Sequence, residues 1–211
     1  MSVINRRRFL SYAAALPLAL YLPVSLGARR LPGKIHALDG EVFINQCPAD
    51  MNSSIQAGDR LSVAYGGRLV FGMGEDTYLL QEGSSLELVS RDNKIISGLR
   101  LLTGGLLSVF GKRDQLTTIY TSTATIGIRG TGVYLNSQPD NLYFCTCYGR
   151  TELNLGRHHH ETIEASHHQA FNITGKSAKS MTMLATEVTG HSDDDLRLLE
   201  RYAGRKPAFD G

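Results

Sequence analysis

Short apolar runs separated by glycine-containing turns recur along residues 33–135. Within these runs apolar and polar positions alternate or β-branched residues dominate, which is typical of strands rather than helices. The turn signals return about every 8–12 residues, the spacing found in sandwiches, barrels and stacked β-rolls. We therefore predict an all-β chain built as a stack of short strands.

The predicted strands in this region share an apolar centre and a turn-forming residue near each end. They are Lys34–Ala37, Glu41–Asn45, Arg60–Ala64, Arg68–Phe71, Thr77–Gln81, Leu86–Ser90, Gly98–Leu102 and Leu106–Phe110. The first two are joined by Asp39-Gly40, a dipeptide typical of hairpin turns. Gln46–Ala57 is predicted to be a loop and Gly72–Asp76 an exposed turn.

β-branched residues and three glycines make up the stretch Thr121–Leu135. This composition predicts a strand that bends at Arg129-Gly130 and continues from Gly132, with Gly130 at a positive φ. Arg129 is the one basic residue in the bend. Two interpretations stay open: it faces solvent and stabilises the bend, or it contacts a partner or an anionic ligand.

After Leu135 the turn NSQPDN introduces a second series of predicted strands, followed by a linker and a short C-terminal helix. These strands are Leu142–Tyr148, Thr151–Leu155, Glu161–Ser166 and Ala170–Ile173. Gly175–Ser180 has the composition of a flexible linker. Ser192 and the three acids after it predict a capped helix over Leu196–Tyr202, ended by Gly204. Lys206–Gly211 is expected to fray.

The amino-terminal residues 1–28 have the pattern of an export signal. A basic cluster, Arg6–Arg8, precedes an apolar run that ends in small residues suited to cleavage. The sequence RRRFL is similar to the twin-arginine export signature. Pro17 and Pro23 favour a cleaved signal over the alternative, a retained membrane anchor. We predict a periplasmic protein, associated with the membrane only if the signal is retained.

Composition and charge are those of an ordinary globular chain. Its 211 residues are 42% hydrophobic and 20% charged, which fits one domain with appendages. Beyond residue 28 the chain has 19 basic and 20 acidic residues, so its charge gives no argument for nucleic-acid binding. It lacks a Gly-x-Ser-x-Gly elbow, and GIRGTG lacks the Lys-Ser/Thr ending of a phosphate loop. A binding function is expected rather than catalysis.

Cysteines and histidines between residues 145 and 168 form the most chemically suggestive region. On a strand, residues two apart project from the same face, and two thiolates with imidazoles suit zinc or copper(I). The candidate metal ligands are Cys145, Cys147, His159, His167 and His168. Three alternatives stay open: a disulfide with Cys47, cysteines buried as small apolar residues, and a solvated histidine loop.

Seven blocks in order resemble the FecR-type domain, and they span residues 33–135. These blocks are Gly33-Lys34-Ile35, Gly40-Glu41-Val42, Ala57–Leu61, Gly67–Phe71, Ser85–Leu88, Leu102–Val109 and Thr121–Leu135. The resemblance implies a compact β-roll or sandwich that senses or binds in the periplasm. Residues 136–175 would then form a β extension with the Cys/His residues, and residues 176–211 a linker and helix.

The chain departs from FecR proteins at its amino terminus. FecR signal transducers add a cytoplasmic segment and a transmembrane helix that regulate a sigma factor, whereas only Met1–Asn5 precede the arginines here. Signalling to the cytoplasm is therefore not expected after cleavage. Two hypotheses remain: a module that recognises an envelope protein or glycan, and a metal-binding protein that uses Cys145, Cys147 and nearby histidines.

Overall fold

A computed structural model describes residues 32–90, 96–114, 116–156, 159–175 and 181–211. The predicted export signal, residues 1–28, and residues 176–180 of the predicted linker lie outside these ranges. Within the described ranges, none of the helical segments has the length and apolar character needed to cross a bilayer.

The prediction of an all-β fold with a short C-terminal helix is confirmed. The described residues form sixteen strands, β1–β16 in chain order, and one α-helix, α1 over Asp193–Tyr202. The strands are Gly33–Asp39, Val42–Ile44, Cys47–Pro48, Ser54–Ile55, Arg60–Val63, Arg68–Met73, Asp76–Leu80, Ser85–Ser90, Ile96–Val109, Thr117–Tyr120, Thr125–Ile128, Gly132–Gln138, Asn141–Asn154, His160–Ala165, Gln169–Thr174 and Thr182–Thr186.

Two sheets share the long strands β9 and β13. Sheet I has the order β4-β1-β6-β7-β9-β12-β13-β15-β16, and sheet II has the order β3-β2-β5-β8-β9-β10-β11-β13-β14. Each shared strand changes sheet at a glycine with positive φ, Gly104 at 81° and Gly149 at 88°. Residues with a Cβ are strained there, so glycine allows the bend. Among the described pairs, β9–β10 is parallel and the others are antiparallel.

The main core lies between the two sheets. Alternate residues of each strand point inward, as the pleat requires. Sheet II contributes Leu61, Leu99 and Ile126, and sheet I contributes Phe71 and Phe144, all with 0% exposure. Each such side chain stabilises the fold by about 1.5–3 kcal/mol.

The opposite, outer face of sheet I is also apolar, and the C-terminal helix covers it. Residues Leu196 and Leu199 of α1 are fully buried against a second cluster, which we call the outer cluster; its sheet residues include Val70, Leu79, Leu107 and Val109. As predicted, Ser192 caps α1: its hydroxyl accepts the Asp195 N–H, and the Asp195 carboxylate accepts the Ser192 N–H. We call residues 187–211 the C-terminal segment.

Two local predictions were wrong because tertiary pairing or a side chain replaced the expected geometry. β1 and β2 do not form a hairpin: β1 pairs with β4 and β6, whereas β2 pairs with β3 and β5. Gly40, at a φ of 67°, passes the chain from sheet I to sheet II. Thr121–Ala124 is a turn rather than a strand, because the Thr121 hydroxyl accepts the Ala124 N–H at 2.9 Å.

The remaining differences concern where elements end and strands that were not predicted, among them β3 and β4 within the predicted loop Gln46–Ala57. The strands predicted on either side of Gly104 are one strand, β9, and those on either side of Gly149 are one strand, β13. Thr182–Thr186 forms a strand that we did not predict. The expected fraying of the tail is also wrong, because Arg197 donates to the Asp210 carboxylate at 2.8 Å and a 3₁₀ turn forms over Ala208–Asp210.

The bend at Gly130 has the predicted positive φ, 65°. A Cβ there would lie 3.1 Å from the Lys112 Cα. We expect Gly130→Val to lower the free energy of unfolding by about 3 kcal/mol, measured by urea denaturation. In the control Gly127→Ala the added Cβ would meet no atom closer than 3.6 Å. Equal denaturation midpoints for Gly130→Val and the wild type would contradict the prediction.

Candidate metal centre

Cys145 and Cys147 lie side by side on the outer face of sheet I. Both belong to β13, where the inward-facing Phe144 joins the main core and the two cysteines join the outer cluster. Strand β12 flanks them on one side and β15 on the other. The prediction that both thiols share one face is confirmed, but this face is not exposed, since both residues are fully buried.

His168 approaches Cys145 from the turn between β14 and β15. Its backbone is in the left-handed region, with φ 45°, and its N–H donates to the Cys147 carbonyl at 2.8 Å. This turn places His168 Nδ1 3.6 Å from the Cys145 Sγ. The side chain is only 11% exposed. The turn from sheet II to sheet I thus places the His168 imidazole beside the Cys145 thiol.

His191 reaches Cys147 from the C-terminal segment. Its Nε2 lies 3.2 Å from the Cys147 Sγ, and its ring stacks on Tyr134 with centroids 4.6 Å apart. The backbone before it is held by sheet I, because Gln81 Nε2 donates to the Gly190 carbonyl at 2.5 Å. The Thr189 N–H also donates to the Tyr143 hydroxyl at 3.0 Å. His191 is therefore positioned by the outward-facing tyrosines and Gln81.

These four residues form one group, which we call the Cys2His2 cluster: Cys145, Cys147, His168 and His191. One ligand atom from each lies within 4.8 Å of all the others. A tetrahedral zinc ion needs about 3.3–3.8 Å between thiolate and imidazole ligand atoms. Two of the separations, 3.6 and 3.2 Å, are already close to that range. The other separations are at most 4.8 Å, so all four atoms are within reach of one ion.

The second ring nitrogen of each histidine has an acceptor that orients the ring. His168 Nε2 lies 2.8 Å from Asp193 Oδ1, and His191 Nδ1 lies 3.1 Å from the Thr189 carbonyl oxygen. When a metal ion is bound, an acceptor at one nitrogen would hold the proton there and leave the lone pair of the other nitrogen free to bind the ion. Carboxylates and carbonyls hold metal-binding histidines in this way.

Asp193 is the first residue of α1 and an ionised partner for two histidines. Hydrogen bonds from His168 and then His167 lower the pKa of its carboxyl group below the ordinary value. His167 Nε2 lies 3.0 and 3.1 Å from its two oxygens. The positive end of the helix dipole also favours an anion at this position. His167 thus contacts the residue that orients His168, rather than either sulfur.

The two thiols shift each other's pKa in opposite directions. A hydrogen bond from Cys147, with smaller contributions from His191 and His168, lowers the pKa of Cys145 to about 5 against the opposing effect of burial. Burial and the neighbouring Cys145 raise the pKa of Cys147 well above the ordinary value. Although burial opposes it, hydrogen bonds to Asp193 and Cys145 raise the pKa of His168. A cation bound between the two sulfurs would stabilise both as thiolates.

The structure brings together three of the five predicted ligands: Cys145, Cys147 and His168. His159 directly precedes β14 of sheet II and is exposed. Its Nε2 lies 3.1 Å from the Glu161 carboxylate. Cys47 is exposed on β3; all three cysteines are in the described ranges and each is a free thiol, so the disulfide alternative does not form.

Sequence reasoning missed His191 and the role of Asp193. We assigned Asp193 to the helix dipole, which is correct but incomplete, and we gave His191 no role. His191 lies 44 residues from Cys147, and the contact exists only because α1 docks on sheet I. The one local signal was a histidine directly before a capping box, and its spacing from the cysteines matches no common zinc motif.

Arg129 lies on the turn between β11 and β12 and is not a member of the Cys2His2 cluster. It lines a cavity of 190 Å³ together with Arg150, Glu152, Leu116 and Gly127. Arg150 is paired with the Glu164 carboxylate at 3.1 Å. The Arg129 side chain is exposed, and its predicted contact with a partner stays a prediction.

Comparisons with known proteins establish the fold. No family model matches the chain, and no curated protein matches its sequence. Two crystal structures of a candidate anti-sigma factor from Parabacteroides distasonis are similar, each with a TM-score of 0.51 over 67% of this chain, at 9% and 10% identity. The matched part spans 64% of the length of those chains. The all-β architecture is thus shared with proteins of that description.

Proposed function

We propose that this chain is a non-catalytic sensing protein of the cell envelope whose input is a thiophilic metal ion bound by the Cys2His2 cluster. The observation that supports it is the orientation of the two imidazoles. Each directs one nitrogen at a buried thiol while Asp193 or the Thr189 carbonyl holds the other. Ordinary buried cysteines need no such arrangement, whereas a metal site does.

Zinc fits the cluster well. Two thiolates and two imidazoles form a closed tetrahedral set for this ion, with no position open for a substrate. Such closed sites are structural or regulatory, whereas catalytic zinc sites keep a water position, and this supports the non-catalytic assignment. Copper(I) is the competing ion because thiolates are soft ligands.

The sensing role and the location rest on the sequence and on the fold. The FecR-like blocks and the fold shared with a candidate anti-sigma factor favour a regulatory module over an enzyme. The twin-arginine-like signal favours the periplasm, and that route exports folded proteins, so the ion can be bound before export. The output would be contact with an envelope protein or glycan, with Arg129 among the contacting residues.

The metal content of the purified full chain tests whether the Cys2His2 cluster binds a metal ion. We expect one equivalent of zinc or copper by elemental analysis. In cobalt(II) titrations we expect thiolate-to-cobalt absorption bands that saturate at one equivalent and disappear on addition of zinc. Protein that folds cooperatively and shows no cobalt bands and no bound metal would contradict the proposed function.

Export can be tested separately. Arg6→Lys with Arg7→Lys is expected to retain the protein in the cytoplasm, because the twin-arginine route requires both guanidinium groups. Cell fractionation and immunoblotting measure the effect. The control, Arg29→Lys with Arg30→Lys, changes the neighbouring arginine pair and should be exported normally. Normal export of the first variant would contradict the twin-arginine assignment.

A further inference from the structure

The four ligands of the Cys2His2 cluster come from two separate parts of the fold. Cys145 and Cys147 lie on β13 and His168 on the turn before β15, all within the two-sheet body. His191 belongs to the C-terminal segment and directly precedes Ser192, the cap of α1. An ion bound by all four would therefore join the start of α1 to sheet I.

The first residue of the helix also contributes to the site. The Asp193 carboxylate orients the His168 ring through the ring nitrogen Nε2. Undocking of α1 therefore removes one ligand, His191, and releases the ring of a second, His168. Loss of such outer partners alone lowers metal affinity by about 10- to 100-fold. The docked C-terminal segment and the bound ion therefore stabilise each other.

The other contacts of the C-terminal segment do not involve the ion. Leu196 and Leu199 bury their side chains in the outer cluster. The buried Glu200 carboxylate accepts a hydrogen bond from the Tyr148 hydroxyl, and Arg68 pairs with Asp195 at 2.8 Å across a partly exposed surface. These contacts permit docking without metal, and the ion adds to them.

Helix α1 is too short to persist when undocked. It has ten residues, and isolated helices shorter than about 12–15 residues are marginal in water. Undocking and unfolding of α1 are thus one local event, which amide hydrogen exchange detects.

We propose that metal occupancy controls how tightly the C-terminal segment is docked on the outer face of sheet I. This inference rests on the proposed function, since it concerns the same ion. Because a ligand that binds only the docked state stabilises that state, the metal-bound protein keeps the outer cluster covered. Removal of the ion increases the fraction of molecules in which Val70, Leu79, Leu107 and Val109 are uncovered.

Hydrogen exchange of the full chain, with and without one equivalent of zinc, tests the coupling. We expect zinc to slow exchange of the α1 amides by about 10- to 100-fold, while amides of β8 in sheet II change much less. Zinc that binds, as shown by competition with cobalt, but leaves α1 exchange unchanged would overturn the coupling and leave the proposed function intact. Absence of any metal binding would overturn the proposed function, and the coupling with it.

Two variants that each lack one ligand distinguish the link between the C-terminal segment and sheet I from a general loss of zinc affinity. Both His191→Ala and His168→Ala keep three ligands, and both are compared at saturating zinc. His168→Ala retains the link to the C-terminal segment through His191, so zinc should still slow exchange in α1. His191→Ala breaks the direct link and leaves only the indirect contact through Asp193 and His168, so zinc should slow exchange in α1 much less than it does in His168→Ala. Equal protection of α1 in the two variants would overturn the coupling.

Discussion

Replacement of either clustered cysteine, as Cys145→Ser or Cys147→Ser, is expected to lower the affinity for zinc by about 100- to 1,000-fold. A serine hydroxyl does not ionise near neutral pH and is a poor ligand for a thiophilic ion. Competition with a chromophoric chelator measures the dissociation constant. In cobalt(II) titrations the thiolate absorption should fall to about half, because one thiolate remains.

Two matched controls distinguish the structural site from the ligand set predicted by sequence. Cys47→Ser removes an exposed thiol on β3, and His159→Ala removes the predicted ligand that lies beside Glu161. Neither should change the zinc affinity, whereas His191→Ala should weaken it. A strong effect of His159→Ala, or none of His191→Ala, would show that the ligands differ from the Cys2His2 cluster.

Glu200→Ala is expected to lower the free energy of unfolding by about 3–4 kcal/mol. Glu200 is only 3% exposed, and its carboxylate accepts from Arg205 Nε at 2.7 Å and from the Tyr148 hydroxyl. Burial and the carboxylate raise the pKa of Tyr148 far above its ordinary value, so the phenol remains a donor at all physiological pH values. Removal of the carboxylate leaves a buried phenol and a partly buried guanidinium without their acceptor.

Urea denaturation measures this loss, and Glu164→Ala serves as the control. Glu164 pairs with Arg150 at the surface, where both side chains are more than half exposed, so its removal should change stability little. A double-mutant cycle with Tyr148→Phe isolates the Tyr148–Glu200 hydrogen bond. If Glu200→Ala lowers the free energy of unfolding no more than Glu164→Ala does, the buried Tyr148–Glu200 pair does not hold α1 on sheet I.

The candidate site could be predicted in part. Strand alternation alone placed Cys145 and Cys147 on one face, because period 2 is a property of any extended strand. The choice among seven histidines could not be made in this way. His159, His167 and His168 are all near the cysteines in sequence. The turn that crosses from sheet II to sheet I carries both His167 and His168, but it directs His168 at a sulfur and His167 at Asp193. His191 is 44 residues from Cys147 in the sequence and reaches it because α1 docks on sheet I.

Local sequence by itself determined the all-β class, most strands of the body and the capped C-terminal helix. Those features depend on alternation, β-branching, turn chemistry and the Ser192 cap, which act over a few residues. Only the tertiary structure decided that Gly104 and Gly149 bend continuous strands, that the Asp39-Gly40 turn changes sheets, and that His191 meets Cys147. The physical reason is that burial and pairing between distant segments select among local conformations that are nearly equal in free energy.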